Sequence, residues 1–304
     1  MLGDIFYWLL SMSVAAAITG LLILPLRMIR KLPRRVAIWL WVIPFLRMTV
    51  PVGMGSPYSL MSLLSRFATK TVVIYQPVEG LDFSMMNYVT AADSYFPIIY
   101  KVNLLERVFE VAALIWIIGF VAIVLVLCVV YVTTLHEMKD AENWKDTVYL
   151  SPKITTPAVY GICKPRIILP ASWAERDLEF VLLHENAHIR RGDNLWRAVG
   201  FFVAAIHWFN PLAWVFLKLF LSDLELSCDE RVLAGLELGR RKDYALSLLD
   251  SKEQSNVFAS AFGGARIRTR IENILSFRKM TWFSATVFAG LVAVIAYVLL
   301  TNAG

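Results

Sequence analysis

Between Asp4 and Leu26 no side chain carries a charge for more than twenty residues, enough for a helix to cross the roughly 30 Å hydrocarbon core of a bilayer. Lipid offers no partner for a free N–H or C=O, so such a run must be helical. Val36 to Val52, Val108 to Val132 and Trp282 to Leu300 extend the pattern to four spans. The second is short and contains Pro44, Arg47 and Pro51, which lipid tolerates only where they face other protein. Arg47 is therefore expected to find a structural partner or to snorkel to an interface. With 58% hydrophobic and 18% charged residues among 304, and a mean hydropathy of +0.60, the chain is too apolar for a soluble domain.

The net charge of +6 does not gather into one basic domain, which argues against direct nucleic-acid binding. The cations flank the apolar runs, where topology and anionic membrane lipid account for them. Arg27, Arg30, Lys31, Arg34 and Arg35 separate the first two runs and predict a cytoplasmic loop, hence an outer N-terminus. A cleaved signal peptide fits poorly, because the basic residues follow the apolar run instead of preceding it. Gly53 to Arg107 then forms an outer loop with interfacial patches at Ser59 to Phe67 and Phe96 to Tyr100, Leu135 to Lys279 is cytoplasmic, and the C-terminus returns outside. Arg266, Arg268, Arg270, Arg278 and Lys279 before the last run support that orientation. Cys128, Cys163 and Cys228 form no CxxC pair, which suits a reduced setting for the polar part.

The polar part carries the chemistry. Thr147 to Pro170 alternates β-branched residues with Pro and Gly and predicts a small sheet, whose edge can take up an extended peptide. Ser172 with Glu175 has capping-box spacing and is expected to open the next helix, Gly192 to end it, and Asp193 to cap the one after, which Asn210-Pro211 interrupts. Phe201 to Leu221 reads as a helical hairpin lodged partly in the membrane. Within the first of these helices, His184-Glu185-Asn-Ala-His188 puts two imidazoles on one face, four residues apart, where both can meet one Zn2+ ion. Glu185 beside them can take the proton of an attacking water. Further on, Glu225 and Asp229 share a helix face, Glu225 as third ligand and Asp229 as acceptor for the free N–H of a liganding histidine. Cys228 and His207 are the competing donors, expected instead to pack in the core and at the hairpin.

Taken together, Thr156 to Pro165, Ile167 to Pro170, His184 to Asp193, His207 to Pro211 and Glu225 to Asp229 resemble the integral-membrane metallopeptidase domain of the BlaR/MecR beta-lactam sensor-transducers. The resemblance implies a gluzincin-like protease with His184, His188 and Glu225 as ligands and Glu185 as base, facing the cytoplasm. It also implies that an outside signal activates proteolysis inside and that a transcriptional repressor is lost. Asn186 stands where the family usually has leucine, a change of packing rather than of ligands. No external penicillin-binding sensor is read after Trp282 to Leu300, so the expectation is either a sensorless member of the family or a truncated one. Ser276-Phe-Arg-Lys279 is not the sensor's S-x-x-K motif, since it lies on the inner side with no S-D-N or K-T-G after it. In the family the segment before the final span is cut during activation, which places self-cleavage here between Ser276 and Phe277, after a flexible approach at Gly263-Gly264. The alternative is that Arg266 to Lys279 is simply a basic amphipathic helix anchoring the last span.

The expectation is a mainly α polytopic membrane protein with four transmembrane helices and a cytoplasmic α+β gluzincin-like zinc domain. It divides into residues 1–132 (three spans and an outer loop), 133–280 (zinc metallopeptidase domain with a membrane-associated hairpin near 200–221) and 281–304 (fourth span and short tail). Its expected partners are membrane lipid, a cytoplasmic repressor as substrate, a separate sensor protein and a second copy of itself. The rival readings are a catalytically silent transducer with a structural zinc, and a transporter. The second lacks an inverted repeat and a midplane ionisable cluster.

Overall fold

The computed structural model describes residues 2–29, 32–51, 54–60, 62, 103–250 and 267–303. Most of the expected outer loop, including the Phe96 to Tyr100 patch, and the Gly263-Gly264 approach with Arg266 lie outside the described residues. In chain order come α1 (Leu2–Met28), α2 (Arg34–Thr49), β1 (Gly55–Ser56), α3 (Asn103–Glu137), β2 (Glu142–Lys145), β3 (Val148–Ser151), β4 (Ala158–Tyr160) and β5 (Arg166–Pro170). They are followed by α4 (Glu179–Arg191), α5 (Asp193–Ile206), α6 (Pro211–Gly235), α7 (Arg241–Asp250), α8 (Ile267–Ser276), α9 (Trp282–Leu300) and β6 (Asn302–Ala303). The protein is thus mainly helical with a small sheet. Among the described residues three helices are long and apolar enough to cross a membrane: Leu2–Met28, Arg107–Asp140 and Trp282–Leu300. The 16-residue α2 is not one of them.

α2 is held at both ends by charge. At its C-terminal end the buried Arg47 donates from Nε to Leu299 O (3.0 Å), from one terminal nitrogen to Thr301 O (2.9 Å) and from the other to Asn302 Oδ1 (3.1 Å). It thereby satisfies carbonyls that the end of α9 leaves free. Arg47 is a structural cation, as the sequence suggests. At the N-terminal end the Glu230 carboxylate of α6 accepts the backbone N–H groups of Arg34 (2.9 Å) and Arg35 (3.4 Å), the orphan donors of a helix start. Two turns back along that face of α6, the fully buried Asp223 accepts from Arg27 Nε (2.6 Å) and Trp41 Nε1 (2.8 Å). The loop that the sequence assigns wholly to topology is therefore also clamped to α6.

Between these ends the bundle core is formed by Ala16, Trp41, Met48, Val203, Ala204, Phe216, Leu217 and Phe220. Close approach of α1 to α6 depends on Gly20. A Cβ there would lie 2.2 Å from the ring of Phe216, which is itself fully buried against Trp41 with ring centroids 5.6 Å apart. Gly20→Val is expected to cost about 1–3 kcal/mol from overpacking, read as a lowered Tm of the detergent-solubilised chain.

The sheet has the order β2-β3-β5-β4, with β3 and β5 parallel and the outer pairs antiparallel. It begins at Glu142, earlier than the expected Thr147. Val148, Ile167, Leu169, Trp173 and Leu178 bury its inner face, with Val181, Leu182 and Ile189 of α4 packed against them. β4 is left as an edge. The capping-box expectation fails here. Ser172 lies in a 3-10 turn, Ala171–Trp173, and α4 opens later at Glu179, with Leu178 before it and no side-chain cap. Burial of Trp173 and Leu178 against the sheet holds the intervening chain in turns and delays the helix. Asp177 Oδ1 accepts the Glu179 N–H at 3.1 Å.

Candidate metal centre

α4 ends where Gly192 adopts φ 65°, a left-handed conformation that glycine enters without a Cβ penalty. Gly192 also precedes α5 directly, so Asp193 is the first residue of that helix and not its cap. Its carboxylate instead reaches back, accepting from His188 Nδ1 at 2.6 Å. With Nδ1 committed, His188 turns Nε2 inward. His184 does the same by a different route, its Nδ1 lying 3.0 Å from the Tyr244 hydroxyl, which donates to Asp229 Oδ1 at 2.7 Å. The two Nε2 atoms meet 3.1 Å apart.

Glu225 Oε2 completes a triangle, 3.6 Å from His184 Nε2 and 3.7 Å from His188 Nε2. Edges of this size suit three donors at the roughly 2.0–2.2 Å bond lengths of a tetrahedral zinc ion. The other Glu225 oxygen is bound by Arg197 of α5, which fixes the carboxylate's orientation. Asp229 is fully buried, 3.3 Å from His184 Nδ1, and accepts two hydrogen bonds from Arg270 of α8, at 2.7 and 2.8 Å. Burial would raise its pKa, but Arg270 outweighs burial and holds it at about 2. Burial works against charge on both imidazoles too. Cys228 and Tyr244 beside His184, and Glu225, Cys228 and Asp193 beside His188, nevertheless lift both well above the ordinary histidine value. Two ring nitrogens converging in acidic surroundings form a cation site, and the imidazole and carboxylate donors suit zinc.

Of the competing donors, His207 is fully buried at the α5–α6 corner, where its Nε2 donates to Met48 O at 3.0 Å. Cys228 is nearer the centre. Its Sγ and the two imidazoles have donor atoms within 4.8 Å of one another, although the thiol also donates to His184 O at 3.5 Å and is packed beside Phe180, Ala187 and Leu233. Glu185 is buried at the cleft wall. The cleft, about 250 Å³, is lined by Thr156 to Val159 of the edge strand and its approach, by His184, Glu185, His188 and Glu225, and by Arg197, Tyr244 and Arg270.

Ser276 is the last residue of α8, and Phe277 packs against the cluster around Tyr244 and Ile274, with its carbonyl accepting from Arg241 at 3.2 Å. Ile267, at the other end of α8, lines the cleft. Arg270 is the residue of α8 that reaches the candidate donors, a terminal nitrogen lying 3.2 Å from His184 Nε2, and the Ser276–Phe277 bond lies about 9 Å farther along the helix.

Sequence reasoning reads Asp193 only as a cap, Arg270 only as a topology cation, and Arg197 and Tyr244 not at all. Asp193, five residues after His188 and just past a glycine, carries a local signal. The other three come from separate helices and carry none.

A family model described as BlaR1 peptidase M56 matches residues 7–274. The chain is 30% identical over 155 residues to Regulatory protein BlaR1 of Bacillus licheniformis, covering 47% of this chain and 26% of that protein. It is 28% identical over 145 residues to the Methicillin resistance mecR1 protein of Staphylococcus aureus, covering 44% and 25% respectively. Each match thus spans about a quarter of the relative's length.

Proposed function

The chain belongs to the BlaR1 peptidase M56 family, and on that premise we propose that it is a membrane-embedded zinc metalloendopeptidase acting in signal transduction. The observation that carries the reading is the triangle of His184 Nε2, His188 Nε2 and Glu225 Oε2, with edges of 3.1, 3.6 and 3.7 Å, beside Glu185 in an open cleft. These residues would hold the zinc. Bound there, zinc supplies Lewis acidity to water and to the scissile carbonyl. Glu185 takes the proton from the attacking water and returns it to the leaving amine. Asp193 and the Tyr244–Asp229–Arg270 chain keep both imidazoles in the tautomer that frees Nε2. A substrate strand lies along β4, whose edge borders the cleft.

The proposed arrangement is a gluzincin-like domain over residues 133–280, spans at α1, α2, α3 and α9, outer termini and a catalytic face toward the cytoplasm. Its substrates are the chain itself and a cytoplasmic repressor, in response to a cell-wall or beta-lactam type signal from a separate sensor. The names of the relatives, a regulatory protein and a methicillin resistance protein, support this reading. Self-cleavage between Ser276 and Phe277 requires α8 to unwind or to reach the cleft of a second copy, because Arg270 ties α8 to Asp229.

N-terminal sequencing of fragments from the purified full chain tests the reading. A terminus at Phe277 is expected with zinc, is lost on chelation and returns on adding zinc back. A terminus that survives chelation assigns the cut to another protease. The Cys228 thiol favours a second reading, since a thiolate as fourth donor would close the site and leave a structural zinc in a silent transducer. Cys228→Ala keeping both zinc and cleavage would remove that alternative.

A further inference from the structure

On the opposite side of α6 from the Glu225 and Asp229 oxygens, a second cleft of about 280 Å³ is lined by Arg35, Arg190, Arg191 and Arg231 together with Trp39 and Trp196. Four guanidinium groups from α2, α4 and α6 converge there, and Arg35 feels the charges of both Arg191 and Arg231. Their compensation is incomplete. Asp193, also in the lining, is shared between His188 and Arg191, whose Nε lies 3.2 Å from Oδ1. Arg35 donates to Glu230 O at 3.0 Å, and the Glu230 carboxylate serves the N-terminus of α2. Among the described residues no hydrogen bond or ion pair engages the side chain of Arg190 or Arg231, both exposed.

What continues away from this cationic pocket is apolar. α2 and α5 leave it side by side in the same direction, from Arg35 and Asp193 at the cleft to Met48 and His207, which are joined at 3.0 Å by the His207 Nε2 hydrogen bond. That is about 20 Å of paired helix. Along it α2 exposes Trp39 and Leu46, and α5 exposes Leu195, Trp196, Val199 and Phe202, with Trp39 60% and Trp196 42% exposed. Tryptophans at the border between a charged pocket and an apolar surface have the placement of side chains at a membrane–water interface. A soluble anion would use the arginines and leave the apolar stripes unexplained. A phosphate joined to acyl chains uses both.

We propose that this pocket binds the phosphate headgroup of one anionic phospholipid, with its acyl chains along the exposed stripes of α2 and α5. Arg190, Arg191, Arg231 and Arg35 surround the phosphate, and basic pockets between helices at a membrane surface recognise such headgroups. The site is one side chain removed from the metal centre, because Arg191 shares Asp193 with His188.

The test uses the full chain in phosphatidylcholine nanodiscs containing graded phosphatidylglycerol, with retained lipid counted by native mass spectrometry after release. One phosphatidylglycerol is expected to remain on the wild type. The double variant Arg190→Gln/Arg231→Gln, which breaks no described interaction, should lower the preference for phosphatidylglycerol over phosphatidylcholine roughly tenfold while leaving Tm unchanged. Equal retention by wild type and variant overturns the assignment. So does displacement of phosphatidylglycerol by an equal concentration of inorganic phosphate, which would give the pocket to a soluble anion.

Discussion

Glu185→Gln is expected to leave zinc at full stoichiometry and to lower peptide hydrolysis by about two to four orders of magnitude. Glutamine has the same shape and remains buried in the cleft wall, but its amide nitrogen cannot accept the proton that the attacking water must lose. The three proposed metal donors do not include residue 185, so metal content and activity should separate. Zinc measured by elemental analysis and appearance of the Phe277 terminus, followed in the same preparation, make the comparison. Unchanged cleavage would remove Glu185 as base, and loss of zinc would make it a ligand. Glu225→Ala supplies the converse. It should lose both metal and activity, and stoichiometric zinc in that variant would transfer the third position to Cys228, whose thiol already lies close to both imidazoles.

Arg270→Leu is expected to destabilise the fold around α4, α6 and α8 by about 3–5 kcal/mol, because it strands a buried carboxylate. Asp229 is 0% exposed and takes two hydrogen bonds from Arg270, whose side chain is only 16% exposed. The Tyr244 hydroxyl and His184 remain as partners, yet the two guanidinium hydrogen bonds to Asp229 are gone. Asp229→Asn in the same background should recover part of the loss, since a neutral amide is cheaper to bury unpaired than a carboxylate. Thermal unfolding of wild type, both single variants and the double variant gives the coupling directly. A coupling near zero would show that the pair contributes nothing beyond its separate contacts. Freed from Asp229, α8 would also approach the cleft more readily, so the Phe277 terminus should form faster in Arg270→Leu if the chain cuts itself.

Features confined to a single stretch of backbone were legible from the amino-acid order. The apolar runs become helices within a few residues of their expected ends, the last one at Trp282–Leu300 as read. The i,i+4 spacing of His184 and His188 brings their rings together through helix geometry alone. Gly192 and Asn210 punctuate helices because a left-handed residue and a side-chain acceptor act on their immediate neighbours, Asn210 Oδ1 accepting from Leu212 N at 2.9 Å. Tertiary structure decided whatever depends on which helix lies beside which. Burial of Trp173 and Leu178 overrode the Ser172 capping signal. Glu230 became a cap for a helix almost two hundred residues earlier in the chain, and Arg47 a cap for one two hundred and fifty residues later. Tyr244, Arg197 and Arg270 reach His184 and Glu225 from three separate helices with no periodicity to announce them. A polar side chain records in sequence only that it needs a partner, and the packing of the helices decides which one it finds.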